Sequence, residues 1–150
     1  VTEIGGRAFL CCTGLTSVVI PDSVTKIGGR AFLCCTGLTS VIIPEGVVSI
    51  DGWAFRGCSN VTSIHYTYGQ SGKMLDRNSN SVEHTLEYYC QKNLETVYFD
   101  PGITQIGSYA FYESAKLKNI NVPEDLTYVG EYAFYCCTAL PSFELPDVLG

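Results

Sequence analysis

The decamer FLCCTGLTSV stands at Phe9–Val18 and again, letter for letter, at Phe32–Val41, 23 residues further on. Identical words at a fixed offset mark a repeat architecture, and the period decides the fold before any local propensity is weighed. Outward from the decamer, residues 1–23 match residues 24–46 except at Glu3/Lys26, Val19/Ile42, Asp22/Glu45 and Ser23/Gly46. A third unit, VVSIDGWAFRGCSNVTSIHYTYG, starts at Val47. The register then slips by about ten residues over 70–79 and resumes in units numbered from Asn80, Ile103 and Leu126. Six units of 23 residues, starting near 1, 24, 47, 80, 103 and 126, read as one domain filling the 150 residues.

Each unit has three parts. LxxVxI (Leu15, Val18 and Ile20 in the first) ends in apolar–exposed–apolar alternation, which is strand spacing. Pro21, Pro44, Pro123 and Pro146 close it, because proline brings no N–H to a ladder. VxxIG (Val1, Ile4, Gly5) is a short extended piece of the opposite wall. AFxxC sets Ala8 and Cys12 one helical turn apart, predicting a short helix with Gly14, Gly37, Asn60 and Asn93 as left-handed C-caps. Lys116 and Ala139 depart from that cap pattern. One unit alone cannot cover its apolar side. Stacked units can, since each Leu15-type residue lies on its counterpart in the next.

The pattern VxxIGxxAFxxCxxLxxVxIPxx resembles the Treponema-type, or BspA-like, leucine-rich repeat. AF, C, L and IP recur at fixed offsets through almost the whole chain. The resemblance implies an α/β repeat fold. This is a right-handed leucine-rich-repeat solenoid with short parallel strands on the concave side and short helices or turns on the convex side. It also implies an extracellular or cell-surface setting, in a family linked to adhesion and protein binding.

Nine basic against fifteen acidic residues leave a net charge of −6, which repels phosphate backbones, and no Lys/Arg cluster offsets it. No nucleic-acid partner is expected, and no run is long and apolar enough for membrane insertion of this segment. No secretory signal is visible. The chain opens on Val1 and closes at a repeat boundary, so it reads as a piece of a longer protein. Both ends read as bare repeat faces, from which end-to-end self-association or fraying of the termini is expected; light scattering and the protection of terminal amides are its measures.

Cysteines form two columns. Cys12, Cys35, Cys58 and Cys137 hold one repeat position; Cys11, Cys34, Cys90 and Cys136 hold the position before it. A buried thiol suits a crowded turn as a compact hydrophobe. Strand spacing of about 5 Å also permits a Cys11–Cys34 disulfide. Reduced structural thiols account for the period and are the preferred reading. No metal or other cofactor is expected: there is no C-x-x-C, and His65 and His84 have no cysteine at ligand spacing.

Three places suit a partner. In each strand the residue between the two core positions points to the concave face, giving the column Val19, Ile42, His65, Tyr98, Asn121 and Glu144. Ser17, Ser40, Ser63, Thr96, Asn119 and Ser142 flank it. Bare Val and Ile beside His and Tyr fit a protein or glycan partner, although such residues are also good strand formers. The break at 70–93 reads as a polar loop and then a helix from Val82 to Cys90, either a binding insertion or a tolerated one. Tyr109 with Tyr112, and Tyr132 with Tyr135, share an edge of the AF turns, as a second adhesive face or as plain cover for the core.

Catalysis needs converging groups, and no G-x-S-x-G, H-E-x-x-H or phosphate loop is present. Cys90 and His84 lie six residues apart, off any common helix face. The expected function is therefore non-catalytic recognition at a cell surface, with a stiff spacer or stalk as the alternative.

Overall fold

Parallel pairing at the repeat offset builds the molecule. The computed structural model describes residues 1–47, 49–50, 53–67 and 92–142. Their strands are β1 (Glu3–Ile4), β2 (Lys26–Ile27), β3 (Ser40–Ile43), β4 (Ser49–Ile50), β5 (Ser63–Tyr66), β6 (Thr96–Phe99), β7 (Gln105–Ile106), β8 (Asn119–Ile120) and β9 (Tyr128–Val129). The LxxVxI segments make the main sheet, in the order β3-β5-β6-β8. The VxxIG segments make the opposite wall, as β1-β2-β4 and β7-β9. All pairs are parallel and in repeat register: Glu3 faces Lys26, Ser40 faces Ser63 and Gln105 faces Tyr128. Ser63 faces Thr96, so the extra residues between these coils leave the register intact.

Like stacks on like between the walls. Val24, Ile27, Ala31, Phe32, Cys35 and Leu38, one coil's apolar set, are 0% exposed. Phe9, Phe32 and Phe55 stack with ring centroids 5.1 and 5.0 Å apart and planes within 10°. Phe111 and Phe134 repeat the contact at 5.4 Å. Flat rings at the coil spacing let each phenylalanine of these AF pairs cover a face of the next.

The expected helix in AFxxC is absent; the described residues contain no helix. Backbone bonding supplies the reason. An α-helix needs each N–H to bond four residues back. Here the N–H groups of Arg7, Phe9 and Cys11 leave the coil and donate to Gly29, Ala31 and Leu33 of the next, at 3.1, 2.7 and 2.8 Å. The alternate N–H groups, of Ala8, Leu10 and Cys12, bond three residues back, to Gly5, Arg7 and Phe9. Among the described residues the third side of the coils is therefore a ladder of tight turns, not a helix, and the fold is a parallel-strand solenoid.

The left-handed residues also sit elsewhere than expected. Gly14, Gly37, Asn60 and Asn93 do not have positive φ. Positive φ falls on Arg7, Arg30, Trp53, Tyr109 and Tyr132, and on Cys11, Cys34, Gly57, Glu113 and Cys136. Each pair brackets a three-residue stretch, too short for a helix. The inter-coil ladder imposes this conformation at about 1–2 kcal/mol per non-glycine residue, and Gly57 meets it without that cost. Gly37 has a different reason: a Cβ there would run into the carbonyl oxygen of Thr13 on the neighbouring coil. Asn60 and Asn93 hold the same column by donating to the Thr36 and Ser59 carbonyls, at 2.8 and 2.6 Å.

The inner cysteine column is structural. The thiols of Cys35, Cys58 and Cys137 donate to the carbonyls of Phe9, Phe32 and Phe111, at 3.1, 3.2 and 3.1 Å. All the described cysteines are free thiols. Ser114 occupies this column, is 0% exposed, and its hydroxyl finds no partner among the described residues. A buried unpaired hydroxyl costs about 1–3 kcal/mol. Ser114→Cys is therefore expected to raise the unfolding free energy by about 1 kcal/mol, read from denaturant melts under reducing conditions. A loss of stability would contradict this account of the column.

Candidate interaction surface

The main sheet turns one residue in two toward the core and the other outward. Val41, Ile64 and Val97 are 1% exposed, while Ile42, His65 and Tyr98 lie side by side in register on the other face. Ile42 is 43% and Tyr98 48% exposed. His65 meets the Tyr98 ring edge-on, centroids 4.7 Å apart. Its Nε2 lies 2.8 Å from Oδ1 of Asp100, the residue just beyond β6. That contact leaves both side chains about one-third exposed and fixes the imidazole against the tyrosine. Ser40, Ser63 and Thr96 form a half-buried polar strip beside them. At its edge Lys118 bonds Glu95 at 2.7 Å, and this bond holds the Glu95 carboxyl below the usual carboxylate range.

The remaining members of the column are placed differently. Val19 is 86% exposed but belongs to a segment outside the ladder, since residues 15–20 form no strand. Pro44, on the next coil, has no N–H to give the Ile20 carbonyl, so the rung that Thr67 and Asp100 supply in later coils is missing here. Asn121 turns its amide onto the backbone of Phe99, 2.7 Å from both N and O. Glu144 lies outside the described residues, as do Cys90, His84 and the helix expected over 82–90. What the column did not reveal is Asp100. Its signal is a departure from pattern: it stands where four of the other five units carry the strand-ending proline.

The chain matches the family model for the BspA-type leucine-rich repeat region in six copies, over residues 1–79 and 80–149. The chain belongs to the BspA-type leucine-rich repeat family. Three solved structures share the fold. A leucine-rich repeat protein of T. pallidum matches with a TM-score of 0.60 at 24% identity, over 95% of this chain and 72% of its own. One from Eubacterium ventriosum matches with a TM-score of 0.68 at 23% identity, over 99% of this chain and 40% of its own. A leucine-rich cell surface protein of Faecalibacterium prausnitzii matches with a TM-score of 0.51 at 27% identity, over 95% of this chain and 42% of its own. No curated protein matches the sequence.

The turn side of this BspA-type solenoid carries its own aromatic columns. Tyr109 stacks on Tyr132 at 5.1 Å and Tyr112 on Tyr135 at 5.0 Å. The guanidinium of Arg30 lies 4.6 Å from the Trp53 ring centroid, with that of Arg56 at 5.4 Å. The tyrosine rings stack from coil to coil, and Tyr132 and Tyr135 remain about half exposed. No group of three or more His, Cys, Asp or Glu among the described residues is placed to hold a metal ion. No helix among them is long and apolar enough to cross a membrane.

Proposed function

We propose that this solenoid is a non-catalytic recognition module of a cell-surface or secreted protein, and that it binds a protein partner through the outward face of β3, β5 and β6. The observation that carries the reading is the row Ile42–His65–Tyr98. An aliphatic and an aromatic side chain stand nearly half exposed in register, with an imidazole held between them by Asp100. Strand propensity explains β-branched and aromatic residues in a sheet, but it does not call for an imidazole fixed by a carboxylate. Exposed aromatic anchors beside small polar residues are the composition of an interface centre. The surface setting is supported by the F. prausnitzii cell surface protein of the same fold.

The test compares the native chain with Ile42→Glu and Tyr98→Glu in capture from extracellular and cell-surface extracts. Both sites are exposed, so folding is expected to hold, with circular dichroism and melting as the check. A partner retained by the native chain should weaken by about 2 kcal/mol or more in Tyr98→Glu, roughly thirtyfold. A partner held equally by all three chains places recognition elsewhere. No saturable partner for any of them leaves a stiff spacer as the role of these repeats.

A further inference from the structure

The main sheet splits open earlier at one end than at the other. Down β3, β5 and β6 the pairing runs to Ile43, Tyr66 and Phe99. One further rung follows: Thr67 N–H donates to the Ile43 carbonyl at 3.1 Å and Asp100 N–H to that of Tyr66 at 2.9 Å. Between β6 and β8 the pairing stops at Val97 and Ile120. The residue whose N–H would reach Phe99 next is Pro123, which has none. The Asn121 carboxamide replaces both missing bonds. Its Oδ1 accepts from Phe99 N–H and its Nδ2 donates to the Phe99 carbonyl, each at 2.7 Å. A side chain now stands where two backbones would meet, and the coils part beside it.

The gap is a cleft of about 310 Å³, lined by Tyr98, Phe99 and Pro101 on one side and by residues 121–125 on the other. Pro101, Val122 and Pro123 make its walls apolar, and the half-exposed Tyr98 ring stands at its mouth. Glu124 and Asp125 are exposed and line it with two carboxylates, and no Lys or Arg is among the lining residues. The amide of Asn121 is already committed to Phe99. An aromatic ring attracts a cation, carboxylates bind a guanidinium or ammonium head, and an apolar wall takes the methylene stem. The net charge of −6 draws the same sign of ligand from a distance.

We infer that this cleft is a socket for an arginine or lysine side chain of the protein partner, its charge set between Tyr98 and the Glu124 and Asp125 carboxylates. The inference rests on the sheet-face reading above and names the chemistry of what that face meets. Isotope-labelled full chain is titrated with N-acetyl-arginine amide, and in parallel with N-acetyl-citrulline amide, its uncharged isostere. The expected result is saturable shifts at the Tyr98 ring, the Asn121 side-chain amide and Val122 for arginine, in the millimolar range of one such contact. Citrulline should bind at least about fivefold more weakly. The double variant Glu124→Gln, Asp125→Asn changes only exposed side chains. It should lose about fivefold in arginine affinity, and added salt should act likewise. Equal shifts for arginine and citrulline, or arginine shifts indifferent to salt and to the double variant, overturn the socket. No arginine shift in the cleft overturns it too, while the sheet-face reading stands if Tyr98→Glu still loses its captured partner. Arginine seated in the cleft with no partner lost by Tyr98→Glu leaves the socket and removes the sheet-face reading.

Discussion

Phe32→Ala is expected to lower the unfolding free energy by about 4 kcal/mol, enough to unfold a marginal domain at ordinary temperature. Phe32 is 0% exposed and its ring lies between those of Phe9 and Phe55, at 5.1 and 5.0 Å. Its truncation removes two ring contacts and leaves a void that Phe9 cannot drop into freely, because the Phe9 N–H is tied to the Ala31 carbonyl of the next coil at 2.7 Å. Phe9→Ala is the matched control. Phe9 has one ring neighbour and is 38% exposed, so its loss is expected to cost about 1–2 kcal/mol. Equal costs at the two positions, measured by denaturant unfolding, would sink the claim that the ring stack is what joins the coils.

Alkaline solution should unfold the protein through its inner cysteines. Burial first, then the neighbouring Cys35 thiol, pushes Cys58 from 9.0 up to about 12. Burial likewise lifts Cys137 to about 11 and raises Cys35. A group whose pKa is higher folded than unfolded stabilises fully below the unfolded value and loses that contribution as pH rises through the folded one. The window therefore opens near pH 9.0 and extends to about 12 for Cys58. A thousandfold difference in proton affinity corresponds to about 4 kcal/mol, with water penetration reducing what is realised. Melting between pH 8 and pH 11 under reducing conditions should show a steady fall, and Cys58→Ala should delay it. Flat stability across that range, or an unchanged fall in Cys58→Ala, would show that the column does not carry alkaline sensitivity.

Much of this architecture is legible in the letters. The identical decamers at Phe9 and Phe32 announce coils one period apart, and Glu3 does face Lys26 as that period requires. The alternation in LxxVxI separates Val41 from Ile42 by face. Two readings failed, for one reason. AFxxC has helical spacing, and Gly14 and Gly37 look like caps, when the coil is considered alone. In the stack, alternate N–H groups of Arg7, Phe9 and Cys11 find carbonyls on the next coil, which an isolated helix would have spent internally. The glycine at position 37 answers to the Thr13 carbonyl of another coil, which no local pattern displays.

The candidate surface divides in the same way. Period and alternation put Ile42, His65 and Tyr98 in one exposed row. Asp100 became a partner of His65 only in three dimensions, on a coil that carries aspartate where four of the other five carry proline. Asn121 belongs to the same outward column by spacing, yet it serves the ladder, because Pro123 leaves the Phe99 carbonyl without a donor.

By itself, then, the sequence determined the repeat, its period, the residues that stack and the face each strand residue takes. These follow from spacing within one coil and identity between coils. The tertiary structure alone decided where backbone N–H groups go, which residues adopt left-handed φ, where the sheet splits and which charges meet on its face. Each of those depends on an atom of a neighbouring coil, brought within hydrogen-bond distance only after the coils have stacked.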